Sequence, residues 1–420
     1  MAIEATPTRV RAIASVRDPE AFRAAVRIGA SSRLAVLLVA IFAALSFGPA
    51  SGGLARENAH RFDQPALTHA LAEPLLAPLA RWDSVWYLTI ADSGYQGSSV
   101  RAAFFPLYPL LIRGVGTVLG GSNGALLVAA YLISLTAFIA ALALLYRLTE
   151  LELGRRLARP TLLLLAVFPA AVFFGAPYSE SLFLLLAVGA FYAARTDRWA
   201  WAGACAGLAS ATRSAGLLLV VPLGLIWWSS RRPRRAQNAA WLLLAPLGIA
   251  LYAAWLGFAE GDSLRFLDVQ GAWSRHFAVP LAGAWDGLVA AVDGVRQLAS
   301  GSRSPVYFDV AAGDPFRIAA TNVLLFATLV FAVVACVGAF RRLPRAYGVW
   351  VAASLVLPLT FPVTPQPLMS LPRFVAVLFP IFMWLAVVCE ERRVTDLVVA
   401  GSAVGLGLFT AQYASWHWIS

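Results

Sequence analysis

Asp83 stands between two tryptophans in Arg81-Trp82-Asp83-Ser84-Val85-Trp86-Tyr87, and Phe104-Phe105-Pro106-Leu107-Tyr108-Pro109 follows shortly after. A lone carboxylate in aromatic surroundings is a candidate general base, provided a proton-bearing substrate can reach it. Trp82, Trp86 and Tyr87 are spaced i, i+4, i+5, near one face of a short helix; that suits both an interfacial belt and sugar stacking. Helix capping is the competing use of Asp83. Asp92, in Ile90-Ala91-Asp92-Ser93-Gly94-Tyr95, could assist Asp83 or belong to a turn.

Three later segments carry isolated polar groups within or beside apolar runs: Tyr178-Ser179-Glu180-Ser181, Ala211-Thr212-Arg213-Ser214 and Ser370-Leu371-Pro372-Arg373. A charge at membrane depth costs about 2.5–3.5 kcal/mol on insertion scales, so such residues face a cavity or a counter-charge. Glu180 and Arg213 could instead form a structural ion pair or snorkel from short helices. Arg373 could be an interfacial anchor.

The elements that must hold these groups are membrane helices. The chain has 420 residues, 60% hydrophobic and 13% charged, with mean hydropathy +0.73; soluble domains are roughly 45–50% apolar and about 25% charged. The runs 34–47, 126–145, 241–259, 323–340 and 394–411 are long enough, or nearly so, to cross an apolar core of about 30 Å. All 33 basic residues are arginine, a sign of GC-rich codon usage and hence of a bacterial source.

Arginine clusters orient the spans. Placing residues 1–33, Arg147 with Arg155, Arg156 and Arg159, residues 231–235, 341–345 and Arg392-Arg393 on the cytoplasmic side predicts one threading of about eleven spans. It consists of a basic interfacial arm over 1–33, one transmembrane domain over 34–414 and a short outer tail over 415–420. Outer loops fall at about 53–123 and 260–318. In this threading 104–119, interrupted by Pro106, Pro109 and Arg113, lies as a juxtamembrane or re-entrant helix, and 161–228 forms short helices that line a cavity. Asp83, Asp92, Tyr178, Glu180, Arg213 and Arg373 all fall on the outer side.

Other chemistries find no support. The net charge of +11 comes from clusters between apolar runs, which argues against nucleic acid. Cys205, Cys336 and Cys389 sit in apolar stretches and imply no disulfide framework. His60, His69, His276 and His417 form no metal-ligand spacing. Gly120-Gly121-Ser122-Asn123-Gly124 merely links two apolar stretches, and the chain has neither a Walker loop nor a dinucleotide fingerprint. No cofactor and no metal are expected.

Trp82-Asp83-Ser84-Val85-Trp86-Tyr87 with Ile90-Ala91 and Gly94-Tyr95, then 104–113, resembles the signature of the PIG-V type mannosyltransferases, the family of the second mannosyltransferase of glycosylphosphatidylinositol assembly. Residues 168–183, 211–214 and 371–374 are also similar to it, so the resemblance runs from about 81 to 380. Ala91-Asp92-Ser93-Gly94 departs from relatives, which often carry Glu-His there. The resemblance implies an all-α polytopic membrane protein of the GT-C fold, with its active site in outer loops and a polyprenyl-phosphate sugar as donor.

On that basis Asp83 is expected to be the general base, assisted by Glu180 and Asp92, while Arg213, Arg373, Trp82, Trp86, Tyr87 and Tyr178 bind the donor's phosphate and sugar. The expected reaction is an inverting, metal-independent transfer of mannose from polyprenyl-phosphate mannose to a lipid-linked or cell-envelope acceptor, outside a bacterial plasma membrane. A transporter or flippase of a lipid-linked glycan, or a non-catalytic envelope-assembly protein, would share many of these features. Internal repeats, common in transporters, are not convincing here.

Overall fold

The computed structural model describes residues 18–47, 75–230, 236–301, 314–363 and 366–419. Most of the basic arm (1–17), much of the first loop (48–74) and the arginine cluster 231–235 lie outside them. Regular structure among the described residues is helical, apart from an isolated antiparallel bridge between Arg275 and Val363. The α-helices of six or more residues run α1 (Pro19–Phe47), α2 (Asp83–Ser93), α3 (Leu107–Val118), α4 (Asn123–Leu153), α5 (Arg155–Ala166), α6 (Glu180–Arg195), α7 (Trp199–Ser210) and α8 (Val220–Ser229). Then come α9 (Leu247–Glu260), α10 (Ala282–Ser300), α11 (Pro315–Arg342), α12 (Arg345–Thr360), α13 (Leu371–Ala376), α14 (Phe379–Arg392) and α15 (Thr395–Ala414).

Among the described residues, five stretches have the length and composition to cross a membrane: α1, α4, Ala236–Glu260, α11 and α15. Leu107–Val118, Ser214–Ser229 and Arg345–Thr360 are shorter apolar helices. The 12 residues of α3 reach only about 18 Å at 1.5 Å per residue, well short of the apolar core. In α3, Tyr108 and Ile112 are buried, while Leu110 and Val118 are exposed.

The boundary expected at residue 33 falls inside α1, which runs without a break from Pro19. Asp18 accepts a hydrogen bond from the Glu20 N–H at 2.9 Å, and Pro19 follows it in the first helical position. Asp-Pro-Glu is thus a helix-start signal placed well before the apolar run. Arg33 becomes a buried mid-helix residue with a structural task. Helix α5 stops at Ala166 and the chain turns through a 3₁₀ segment, Pro169–Phe174, freeing carbonyls at membrane depth. Arg33 donates to Ala166 O at 2.7 Å and to Ala171 O, with its guanidinium 4.9 Å from the Phe138 ring centre.

Arg147, Arg155, Arg156 and Arg342, four of the arginines used for threading, form ion pairs near helix ends, as does Arg195. Arg147 pairs with Asp18 at 2.6 Å and Glu150 at 3.2 Å, Arg155 with Glu20, Arg195 with Glu152, Arg156 with Glu390 at 3.3 Å, and Arg342 with Glu391 at 3.0 Å. These pairs join the first turn of α1 to the ends of α4, α5, α6, α11 and α14. Helix α6 shows the polarity of the bundle directly: Arg195 closes its last turn in this network, while Glu180 opens its first turn in a second one, about 22 Å away along the axis.

Candidate active site

The second network begins with the turn into α2. Helix α2 starts at Asp83, but the Asp83 carboxylate does not cap it, and the residue before it, Trp82, has no side-chain cap either. Two tyrosines fix the turn instead. The Tyr413 hydroxyl donates to Arg81 O at 2.9 Å, the Tyr178 hydroxyl donates to the same carbonyl at 3.3 Å, and the Asp83 N–H donates to the Tyr178 oxygen at 3.1 Å. Trp82 is held at φ +54°, a region costing a non-glycine residue on the order of 1–3 kcal/mol.

Held in this way, Asp83 Oδ2 accepts from Arg373 Nη1 at 2.5 Å. Arg373 lies in α13, whose start is set by Ser370 at φ +71° and Pro372 in the first turn. Its Nε is 3.4 Å from Glu180 Oε1, and Arg213 Nη1 donates to that same oxygen at 2.5 Å. Asp83, Arg373, Glu180 and Arg213 therefore form one chain of alternating charge. Glu180 is 1% exposed, and its Oε2 is buried without a partner.

Arg213 owes its position to a tight turn between α7 and α8. Its N–H donates to Ala209 O at 3.0 Å, and Gly216 N–H returns to Arg213 O at 2.9 Å. A Cβ on Gly216 would lie 2.2 Å from the Ala209 carbonyl carbon, so only glycine lets the chain fold back this closely.

Aromatic rings enclose the charges. The Arg373 guanidinium lies 5.5–5.9 Å from the ring centres of Phe173, Tyr178, Phe374 and Trp418. Trp82 packs edge-on against Trp416 and Trp418 at 5.7 and 5.2 Å, so residues 415–419 fold back over the site. The indole nitrogens of Trp82 and Trp418 are buried without partners. Trp86 stacks on Phe104 at 5.8 Å and meets Trp273 edge-on at 6.2 Å.

The structure thus brings together Asp83, Glu180, Arg213 and Arg373, with Trp82 next to Asp83 and Trp86 packed on Phe104 and Trp273. Tyr178 and Tyr87, expected to contact the donor, have their hydroxyls turned to protein partners. Tyr178 is fully buried, Tyr87 is buried with its hydroxyl 2.9 Å from Ser179 Oγ, and both hydroxyls are used internally. Asp92 does not join the cluster. It is exposed and nine residues from Asp83 along α2, about 13 Å, while its backbone carbonyl accepts from Arg113 at 2.8 Å. Gly94 at φ +71° ends that helix, as the turn reading had it.

Four contributors went unnoticed in the sequence. Arg275 comes from the loop between α9 and α10 and packs on Phe374, its guanidinium 5.8 Å from the ring centre. Burial and the neighbouring Arg373 lower its pKa to about 10, so it remains cationic at neutral pH. Tyr413 lies in an apolar run that gave it no distinction. Trp416 and Trp418 flank His417 after the last long helix, where no motif singled them out.

The chain is similar to GPI alpha-1,6-mannosyltransferase 2 of Rattus norvegicus, 36% identical over 176 residues, covering 39% of this chain and 35% of that protein. It is 31% identical over 148 residues to GPI mannosyltransferase 2 of Yarrowia lipolytica, covering 35% of this chain and 40% of that protein. The chain therefore spans only about a third to two fifths of the length of these relatives. Among solved structures, an archaeal oligosaccharyltransferase from Archaeoglobus fulgidus, in complex with an inhibitory peptide and a dolichol-phosphate, aligns over 92% of this chain and 56% of its own. Its TM-score is 0.44 and its identity 15%. Residues 23–229 match the sequence model of the family described as mannosyltransferase (PIG-V), a stretch that holds Asp83, Glu180 and Arg213 but ends before Arg373. By that match residues 23–229 are similar to the PIG-V mannosyltransferase family.

Proposed function

We propose that the protein is a membrane mannosyltransferase of GT-C architecture. It moves mannose from a polyprenyl-phosphate mannose donor to a lipid-linked or cell-envelope acceptor on the extracytoplasmic side. Similarity of residues 23–229 to the PIG-V family model supports the sugar and the membrane setting, and the name of the rat relative supports an α-mannoside product. The observation that carries the chemistry is the Asp83–Arg373 contact. Arg373 holds Oδ2, and Oδ1 accepts no hydrogen bond among the described residues. One oxygen of a fixed carboxylate is thereby left for a substrate hydroxyl.

In this reading the acceptor O–H gives its proton to Asp83 Oδ1 while its oxygen attacks the anomeric carbon. The bond from that carbon to the phosphate oxygen breaks, and the electron pair leaves with the polyprenyl phosphate. One displacement inverts a β-linked donor to an α-mannoside. The leaving group is a monophosphate, so guanidinium groups can stabilise its growing charge without a metal bridging a diphosphate. Glu180 sets the spacing of Arg213 and Arg373, and Tyr178 holds the Asp83 main chain.

The test is to incubate membranes containing wild type or Asp83→Asn with labelled polyprenyl-phosphate mannose and to identify the product that gains label. Wild type is expected to label an acceptor, and Asp83→Asn to lose about 10²- to 10⁴-fold in rate at equal abundance. Unchanged transfer in the variant removes Asp83 from the role of base. A wild type that labels nothing overturns the mannosyltransferase reading.

A further inference from the structure

Three guanidinium groups surround one ring. Arg213, Arg275 and Arg373 lie 5.3, 5.8 and 5.5 Å from the centre of Phe374. Two of them are matched by acids: Arg213 by Glu180, and Arg373 by Asp83 and Glu180. Arg275 is different. Its Nη1 and Nη2 donate to the backbone carbonyls of Phe361 at 3.2 Å and Met369 at 3.5 Å, and among the described residues no carboxylate pairs with it.

The main chain holds this arginine firmly. Ser274 before it adopts φ +55°, the Arg275 N–H donates to Gln270 O at 3.2 Å, and His276 and Ala278 N–H donate to Pro362 O and Thr360 O at 3.3 and 3.0 Å. The loop is thus sewn to the strand-like segment that leads into α13 and Arg373. A half-buried cation fixed by carbonyls, beside two other guanidinium groups, is unfavourable until an anion joins it.

We propose that Arg275 is the ligand that receives the phosphate of the lipid-linked donor. This rests on the mannosyltransferase reading. The cluster of Arg213, Arg275, Arg373, Asp83 and Glu180 carries one net positive charge, which matches the single negative charge of a phosphodiester donor. During transfer Asp83 gains the acceptor proton, so the cluster rises to two positive charges. The phosphate gains the electron pair of the broken bond and becomes a monoester with two negative charges. Site and ligand therefore stay electrically matched before and after the reaction, and Arg275 supplies the charge that neither acid cancels. The assignment also leaves Arg373 free to hold Asp83, a task it could not perform while turned fully towards the phosphate.

The experiment measures binding of polyprenyl phosphate, and of polyprenol of the same chain length, to the full chain in phosphatidylcholine nanodiscs. Wild type, Arg275→Gln and Arg275→Lys are compared. Glutamine retains a donor for the Phe361 carbonyl without the charge, which protects the fold where alanine would not. Expected are a loss of roughly tenfold or more in polyprenyl phosphate affinity for Arg275→Gln, unchanged polyprenol binding and partial recovery in Arg275→Lys. Equal affinity of wild type and Arg275→Gln for polyprenyl phosphate overturns the inference while leaving the enzyme reading intact. Parallel loss of polyprenol and polyprenyl phosphate binding, or a lowered melting temperature alone, makes the residue structural and overturns it too. A wild type that binds no polyprenyl phosphate and transfers no mannose defeats the enzyme reading, and the inference with it.

Discussion

Asp83 and Arg373 lie 290 residues apart in sequence, yet Oδ2 of one and Nη1 of the other are 2.5 Å apart. The contact joins the first turn of α2 to α13, with Glu180 behind Arg373. The guanidinium reaches Asp83 through Nη1 and faces Glu180 through Nε, a fork that an ammonium cannot reproduce.

Arg373→Lys should therefore lower the initial rate of mannose transfer by at least about tenfold, although the charge is kept. Combining it with Asp83→Asn should cost little more than Asp83→Asn alone, because the two groups act as a unit. Initial rates of the two single variants and the double variant provide the measurement. Multiplicative losses in the double variant would show that the contact has no part in the reaction.

Glu180 compensates two arginines from a position only 1% exposed. Glu180→Ala leaves both short of a partner, and breaking a buried pair in this way costs about 3–5 kcal/mol. The melting temperature in detergent should fall clearly, and Glu180→Ala combined with Arg213→Ala should recover part of the loss. A double variant less stable than Glu180→Ala alone would contradict the pairing.

His417 lies outside the long helices, between Trp416 and Trp418, which cover Trp82. Burial, and then the nearby Arg317, lower its pKa below the usual 6.5. Its protonated form is disfavoured in the fold, so above pH 6.5 it has no effect on stability. As pH falls below 6.5 the unfolded or undocked segment binds the extra proton, and docking weakens until pH passes the folded pKa. Tryptophan fluorescence of the wild type should shift to the red between pH 7 and pH 5, and His417→Gln should abolish the shift. An identical shift in both proteins would assign it elsewhere.

Some features of the site were legible in advance because they are local. An acid placed between tryptophans, a glutamate opening an apolar run, and single arginines beside apolar runs each cost free energy at membrane depth, so the chain itself flags them. The helix start at Asp18-Pro19-Glu20 was equally local, but it was hidden by the greater contrast of the apolar run that begins fifteen residues later. The protein partners of the Tyr178 and Tyr87 hydroxyls were not legible, because a motif shows proximity in sequence and not which way a hydroxyl points. Asp92 shares a helix with Asp83 but lies at its far end.

By itself the sequence determined the membrane character of the protein, its helical class, the grouping of its arginines and the identity of Asp83 as the residue to watch. Hydropathy, charge cost and motif spacing are properties of short segments and need no knowledge of the fold. Only the tertiary structure decided that Arg373, rather than a capped helix end, answers Asp83, and that Arg275, an inconspicuous loop arginine, stands beside them without an acid of its own. Pairing of charges depends on distance in space. Here that distance is set by turns at Trp82, Ser274 and Ser370, whose left-handed backbones are imposed by packing and not by residue type.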